Sequence, residues 1–326
     1  MIKITIIIPV YNKEHYLARC FDSVLNQIED NDNRFELLVV DDGSTDSSCS
    51  VIEEYAKNNK IISYIKQKNS GVSVARNVAI AEASGDFVLF LDADDELIDG
   101  SLQKVYDFLN KNKDIDMLVT RQTRYNGFSE KLVTAPKLLE YKKYTGVEAY
   151  RNHYVRMNAG GGICRTRFIR ENNIQFPPGV RNSEDTIFFG LVQVYAQSII
   201  YYDVPLYRIF MLEGSASRVD NTNLAIRHID TVNAVVRERE KLRCSNEQKG
   251  VFEFYVFQLI SNAMGKYIKS KDVGFRDMCR SIEIKKILPL HTKYMRMMKS
   301  KALLLNFSYR LYYLMNWFKI RIIRSV

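Results

Sequence analysis

The sequence predicts an α/β fold, a mostly parallel sheet flanked by helices with a helical C-terminal extension. Three observations carry that reading. Over the first 95 residues, short aliphatic runs alternate with segments of helical spacing, the pattern of right-handed βαβ units. Two of the runs, Val39-Val40-Asp41-Asp42-Gly43-Ser44 and Leu89-Phe90-Leu91-Asp92-Ala93-Asp94-Asp95, stop on carboxylates. Beyond Asn221 the pattern is helical to the end. A buried strand places charge only where it emerges, so both acidic clusters belong on one rim of the sheet. In open α/β sheets the carboxyl rim is where ligands bind. Several Asp residues gathered there ask for a cation, and a cation asks for an anionic substrate such as a diphosphate.

The elements follow in order. Lys3 to Pro9 reads as a buried parallel strand. Val10-Tyr11-Asn12-Lys13 is the loop into a helix over Glu14 to Gln27, with Leu17, Cys20, Phe21, Val24 and Leu25 on one face. Tyr11 is either a surface aromatic or a stacking platform for a base at the acidic rim. Phe35 to Val40 is the second strand, turned by Gly43, with Ser44 or Thr45 placed to cap a helix over Asp46 to Asn58. Ile61 to Lys66 is a third strand. Gln67-Lys68-Asn69-Ser70-Gly71 leads into a helix over Val72 to Ala83, packing through Val74, Val78 and Ala81. Arg76, in its first turns, is either a structural ion pair or an anion contact.

Phe87 to Leu91 is the fourth strand. On an extended or turning segment Asp92 and Asp94 face one ligand while Asp95 faces elsewhere. A helix over Asp99 to Asn110 follows, for which Asp95 or Asp99 offers an N-cap. One carboxylate suffices for capping, and three in four positions suit Mg²⁺ or Mn²⁺ completed by water and phosphate oxygens. Met117 to Thr120 and Lys131 to Thr134 form strands around an Asn126-Gly127 hairpin. Tyr144 to Met157 reads as a helix capped by Thr145. Gly160-Gly161-Gly162, a close-approach segment or a hinge, precedes a helix over Arg165 to Asn172. Asn182-Ser183-Glu184-Asp185 opens a helix over Thr186 to Ala196, the bland reading of its acids being an N-cap. Ile199 to Tyr202 and Leu206 to Met211 are late strands, and Glu213 to Arg218 is a polar loop.

Length and charge bound the rest. At 326 residues the chain has room for roughly two domains at about 150 residues each. The division expected is 1–220, with halves 1–110 and 111–220, followed by a basic helical region 221–326. The formal charge of +9 is local, because residues 284–326 hold ten Lys or Arg and no Asp or Glu. Between Lys301 and Val326 aliphatic and aromatic residues dominate, while Asn306, Arg310, Arg321 and Arg324 fall on one stripe at 100° per residue. An interfacial helix on an anionic membrane has this composition; a helix packed on its own core is the alternative. Five scattered cysteines (Cys20, Cys49, Cys164, Cys244, Cys279) without a CxxC pair give neither a disulfide frame nor a zinc site, and fit a reducing cytoplasm. The apolar start is too short for a signal peptide, and no run reaches the ~18 apolar residues of a membrane span. Neither GxGxxG nor GxxxxGK[ST] occurs, which removes support for dinucleotide and P-loop sites.

The ordered set Ile6-Ile7-Ile8-Pro9-Val10-Tyr11-Asn12, Val39 to Asp46, Asn69-Ser70-Gly71-Val72-Ser73-Val74-Ala75-Arg76-Asn77, Leu91 to Asp95 and Glu184-Asp185 resembles the family 2 glycosyltransferases. The resemblance covers roughly the first 220 residues. It implies a GT-A fold, with 1–110 the nucleotide-binding half and 111–220 the acceptor half. It also implies inverting transfer of a sugar from a nucleotide donor, commonly a UDP-sugar, to a hydroxyl of a glycan or lipid-linked acceptor, as in surface polysaccharide synthesis. By position, Asp42 would bond the uracil, Pro9 and Tyr11 would line the base pocket, and Asn69 and Arg76 would lie near the nucleotide. Asp92 would hold the ribose, Asp94 the divalent Mn²⁺ or Mg²⁺, and Asp185 would be the general base. Relatives often carry a His shortly after the late-strand Tyr-Arg; here Tyr207-Arg208 lacks one until His228, with Arg208, Ser215 or Arg218 as substitutes. Cytoplasmic residence, peripheral on the inner membrane face, follows from this role and the tail. A catalytically silent nucleotide- or glycan-binding module is the alternative. Nucleic-acid binding is not expected, since the pocket is acidic.

Overall fold

In the computed structural model, residues 1–29, 32–133, 138–152, 154, 158, 160–211, 222–269, 287–290, 298–313 and 315–316 are described. The chain forms two units. One comprises Met1–Tyr154, Asn158–Gly179 and Ala196–Glu213, the other Val155–Met157, Val180–Tyr195 and Gly214–Val326.

The first unit is built on a ten-stranded mixed sheet. Its elements in chain order are β1 (Ile4–Val10), α1 (Glu14–Leu25), β2 (Phe35–Asp41), α2 (Ser48–Asn58), β3 (Ile62–Lys66), α3 (Val72–Glu82), β4 (Phe87–Phe90), β5 (Glu96–Leu97), α4 (Ser101–Lys111) and β6 (Met117–Tyr125). There follow β7 (Glu130–Leu132), β8 (Lys143–Tyr144), α5 (Gly146–Arg151), β9 (Gly162–Arg165), α6 (Thr166–Glu171) and, after a helix of the second unit, β10 (Ile199–Phe210). The strand order is β3-β2-β1-β4-β9-β6-β10-β5, with β7 on β6 and β8 on β10. Strands β3, β2, β1 and β4 are parallel. The aliphatic runs of β1, β2 and β4 are buried on both faces, while the edge strand β3 is largely exposed. The chain steps from β1 outward to β3, then returns to β4 on the other side of β1. That reversal is the topological switch point of the sheet, the place where open α/β sheets bind ligands outside the carboxyl ends of their strands.

Several expectations are corrected. Gly162–Arg165 is a strand, antiparallel to both β4 and β6. Four residues opening on glycine show no period, so the sequence hides it. The glycines before it serve packing: a Cβ at Gly160 would sit 2.9 Å from the Tyr207 ring, and Gly161 has φ +69° with Thr120 Oγ1 2.9 Å from its Cβ position. Neither Asp95 nor Asp99 caps α4, whose N-cap is the left-handed Gly100. Ser44 and Thr45 do not cap α2 either; its N-cap is Ser47, without a side-chain bond. Helix α3 buries Ser73, Ala75, Arg76, Ala79 and Ile80, while Ala81 is exposed and Val74 and Val78 are half-buried. The two late strands are one, whose register on β6 shifts about Pro205, where no N–H is available. The expected helix from Tyr144 is six residues long, closed at its start by a Thr145–Glu148 capping box. The hairpin at Asn126-Gly127 forms as expected, with β6 running on to Tyr125.

The second unit is helical: α7 (Glu184–Tyr195), α8 (Thr222–Lys241), α9 (Asn246–Lys269) and α10 (Lys299–Phe307). Gly190 of α7 lies under the Tyr255 ring of α9, and the Tyr255 hydroxyl donates to Gln193 Oε1 at 2.5 Å. Ala302, Leu305 and Tyr312 are buried, with Tyr312 edge-on to Phe257 at 6.0 Å. Asn306 exchanges two hydrogen bonds with the backbone of Leu290. The described part of the tail therefore packs on its own unit. Leu303, Phe307, Leu311 and Met315 nonetheless stay exposed, Phe307 at 84%. Thr134 and Ala135, Met157, the loop Glu213 to Arg218 with Ser215, Cys279, Trp317, Arg321 and Arg324 lie outside the described residues. Among the described residues no helix is long and apolar enough to cross a membrane.

Candidate functional site

The rim over β1, β2 and β4 is assembled by the loops that follow each strand. After β1, Asn12 takes φ +52° and reaches the loop after β2: its N–H donates to Ser44 Oγ at 3.0 Å, and its Oδ1 accepts from Thr45 N at 2.8 Å. Lys13 N donates to Ser48 Oγ and Glu14 N to Asp46 Oδ2, so the Asp41-to-Ser48 turn is stitched onto the start of α1. Tyr11, just before, projects with 46% of its surface exposed. Pro9 is half-buried near the end of β1, its register partner being Val40.

Asp42 is 3% exposed. Its Oδ1 accepts from Gln67 Nε2 at 2.7 Å and Ser70 N at 2.8 Å, and its Oδ2 from Gly71 N at 2.8 Å. A carboxylate has about four lone-pair positions, so one remains for a ligand. The next residue, Gly43, holds φ +72°, and a Cβ there would lie 2.7 Å from Asn69 N. The close approach of two backbones explains the glycine. Asn69 itself is exposed on the loop that Asp42 organises.

At the end of β4 the acidic turn divides three ways. Asp92 Oδ1 accepts from Arg76 Nη2 at 2.7 Å, the Arg76 side chain being 4% exposed and that of Asp92 41%. Arg76 also lies over the Phe176 ring, 5.0 Å from its centre. Asp94 Oδ2 meets Lys13 Nζ at 2.6 Å, both side chains about a third exposed, while its backbone carbonyl accepts from Arg19. Asp95 turns inward, 7% exposed, accepting from the Tyr207 hydroxyl at 2.9 Å and from Phe210 N at 2.8 Å. Tyr207 in turn accepts the Asp92 N–H at 3.0 Å. Burial first, and the nearby Asp92 charge second, push Asp95 up to about 8. Burial also raises the Tyr207 hydroxyl well above its usual value. These contacts tie β10 to the turn that carries Asp92 and Asp94. Sequence reasoning missed Lys13 and Tyr207; Lys13 had a signal, its position directly after Tyr11-Asn12.

Pro9, Tyr11, Asp42, Asn69, Arg76, Asp92 and Asp94 thus all lie at the carboxyl rim of the first unit or on the loops and helix that leave it. Asp185 belongs to the second unit. There it sits half-buried in the first turn of α7, its Oδ1 accepting from Thr186 N at 2.8 Å. Two residues earlier Ser183 has φ +60°. Asn182 is anchored by α8, its Nδ2 lying 3.0 Å from His228 Nε2 and its carbonyl accepting from Thr231 Oγ1. The Arg208 substitute for a late-strand His is engaged elsewhere, with Glu96 at 2.8 Å and Glu130 at 2.8 Å.

No group of three His, Cys, Asp or Glu side chains able to hold a metal ion occurs among the described residues. The donor set nevertheless fits one kind of cation site. Asp94 offers one accessible hard-oxygen carboxylate at a rim, and Mg²⁺-type ions bind through one or two carboxylates plus substrate phosphates.

Comparison with known proteins bears on family and fold. The family described as Glycosyl transferase family 2 matches residues 5–172, just over half of the chain. "Glycosyltransferase GlyA" of Streptococcus pneumoniae is 31% identical over 67% of this chain and 32% of its own length. TarS of Staphylococcus aureus, a "Poly(ribitol-phosphate) beta-N-acetylglucosaminyltransferase", is 30% identical over 58% of this chain and 32% of its own length. An uncharacterized glycosyltransferase of Haemophilus influenzae is 37% identical over 61% of this chain and 75% of its own length. The chain thus spans about a third of the first two relatives. A crystal structure of TarS residues 1–349 has the same fold, with a TM-score of 0.67 at 21% identity over 97% of this chain and 89% of that one.

Proposed function

The chain belongs to glycosyl transferase family 2 and has the GT-A fold, and from that premise we propose that it transfers a sugar from a UDP-sugar to a hydroxyl of a glycan or lipid-linked acceptor, with inversion at the anomeric carbon. The observation that carries the reading is the gathering of Tyr11, Asp42, Arg76, Asp92 and Asp94 on one rim, at the point where strand order reverses. A TarS structure with UDP-GlcNAc, of the same fold, and relatives named for glucosyl and N-acetylglucosaminyl transfer to poly(ribitol-phosphate) support a UDP-linked hexose or N-acetylhexosamine donor and a surface-polymer acceptor.

On this reading Tyr11 stacks on the uracil, beside Pro9, and the remaining acceptor position of Asp42 meets the base. Asn69 stands on the loop at the base edge, and Asp92, held by Arg76, meets the ribose. Asp94 would hold a divalent ion, Mn²⁺ or Mg²⁺, which as a Lewis acid stabilises charge on the departing diphosphate. A structure of a mannosyltransferase from Pyrobaculum calidifontis with GDP-Man and Mn²⁺, TM-score 0.54, is consistent with such an ion. Asp185 takes the proton of the acceptor hydroxyl as it attacks; a single displacement inverts the centre and needs no covalent nucleophile. The tail adds a cytoplasmic membrane contact: exposed Leu303, Phe307, Leu311 and Met315 in a stretch without acids support docking on anionic lipid of the inner face.

The test is a panel of nucleotide sugars scored for nucleotide release with and without Mn²⁺. Metal-stimulated release from one or two UDP-sugars is expected. UDP binding without release from any donor, at every acceptor tried, would instead identify a silent binding module. Asp185→Ala should lower turnover by about 10²–10⁴ while UDP affinity holds; unchanged turnover removes Asp185 as the base.

A further inference from the structure

Arg19 holds the backbone carbonyl of Asp94, and two further cations, Arg76 and Lys13, meet the carboxylates of the acidic turn after β4; these two are themselves held very differently. The Arg76 side chain is 4% exposed and lies over Phe176, so burial and packing fix its place beside Asp92. Lys13 is 31% exposed and ends a flexible four-carbon stem. Its backbone is fixed, as N-cap of α1 and as donor to Ser48 Oγ at 2.8 Å, so only the side chain is free to swing. It follows Tyr11 by two residues, at the rim where the diphosphate of a donor would lie.

An ion arriving at Asp94 Oδ2 meets an ammonium already 2.6 Å away. The two cations repel and compete for the same oxygen. Without nucleotide, displacing Lys13 sends it to solvent and forfeits the pair. With a diphosphate present, the displaced ammonium gains a doubly charged acceptor within the sweep of its stem, and the forfeited pair is replaced. We propose that Lys13 is an internal counter-cation of Asp94 that couples divalent-ion binding to nucleotide-diphosphate binding, guarding the carboxylate in the free enzyme and passing to the diphosphate when the donor is bound. The proposal rests on the donor reading above and adds a residue and a linkage to it. A consequence is that the free protein binds metal weakly, and that ion and nucleotide arrive as a pair.

The test is Mn²⁺ binding, read from the electron paramagnetic resonance signal of the free ion, for the wild type, Lys13→Met and Lys13→Arg, each with and without saturating UDP. An ion pair this exposed makes a modest difference, so Lys13→Met is expected to bind Mn²⁺ about three- to fivefold tighter than the wild type without UDP. With UDP bound the advantage disappears, because the wild-type lysine has moved away. Lys13→Arg, which keeps the charge, stays within about twofold of the wild type in both arms. Lys13→Gln reads the same way should the apolar variant fold poorly. Equal tightening with and without UDP would show only the loss of a nearby positive charge and overturns the coupling, as does no tightening at all. A wild type whose Mn²⁺ binding ignores UDP brings down the donor reading itself.

Discussion

At the end of β2 the carboxylates of Asp41 and Asp42 meet backbone N–H groups, of Ser44 on one and of Ser70 and Gly71 on the other. At the end of β4 the carboxylates of Asp92 and Asp94 meet side-chain cations, Arg76 and Lys13. Both clusters look alike as sequence, an aliphatic run ending on acids. Their partners give them different work. Backbone donors cannot leave, so Asp42 shapes the loop 67–71, where the proposed function puts the base. A lysine can leave, so Asp94 offers a charge that is open to exchange. Rigid geometry at one strand end and exchangeable charge at the next suit the proposed donor site, which would hold a nucleotide still and neutralise its diphosphate.

The sharpest way to break this contrast is to remove each acid and compare what fails. Asp94→Asn should lower nucleotide release about a hundredfold, near 2.7 kcal/mol of transition-state stabilisation, while thermal stability barely moves, because its partner is partly exposed. Asp42→Ala should do the reverse in kind. It leaves Ser70 N, Gly71 N and Gln67 without their acceptor and is expected to cost about 2–3 kcal/mol in urea unfolding, together with loss of UDP binding. If the Asp94 variant unfolded and the Asp42 variant did not, the assignment of the two clusters would be inverted.

Much of this was legible beforehand, and the reasons are local. The Ile, Leu and Val runs of β1, β2 and β4 can only be central parallel strands, and their acidic ends can only be rim. That placed Tyr11, Asp42, Arg76, Asp92 and Asp94 on one edge without coordinates. What escaped were features made by distant pairing. The two-residue β5 and four-residue β9 are strands only because β10, β4 and β6 lie beside them. Asp95 was expected to face away from its neighbours, and it does, yet nothing local announces Tyr207 and Phe210 N, more than a hundred residues on, as its partners. The grouping of α7 with the C-terminal helices depends on Gly190 beneath Tyr255, a contact no periodicity encodes.

Asp95 gives the third acid of the turn a different fate, and pH should expose it. Its carboxyl, raised to about 8 by burial and by Asp92, holds a proton in the folded state at pH values where the unfolded chain has lost it. The stability this brings is present in full below about 3.8 and is lost as pH rises toward 8. Asp95→Asn keeps an acceptor for Phe210 N and removes the titration. Between pH 5 and 8 the wild type should therefore lose about 2 kcal/mol more than the variant in urea unfolding. Parallel pH curves would mean that Asp95 stays ionised throughout, its charge satisfied by Tyr207 and Phe210 N.

In the second unit Asn182, two residues before Glu184, is held by an uncharged partner, which makes His228 a control for the rim. Burial, with the charge of Lys266 behind it, lowers His228 to about 4, so its Nε2 faces Asn182 as a neutral ring at neutral pH. Here the unfolded chain binds the extra proton, and the contribution runs opposite to that of Asp95: present above about 6.5 and lost as pH falls through 4. His228→Gln should unfold in urea with about 1 kcal/mol less change between pH 7 and pH 5 than the wild type shows. The effect is small because one ring carries it. Its direction is the informative part: a wild type more stable at pH 5 than at pH 7 by the His228 increment would mean the ring is charged in place, and Asn182, which would then have to present its carbonyl oxygen, would be flipped.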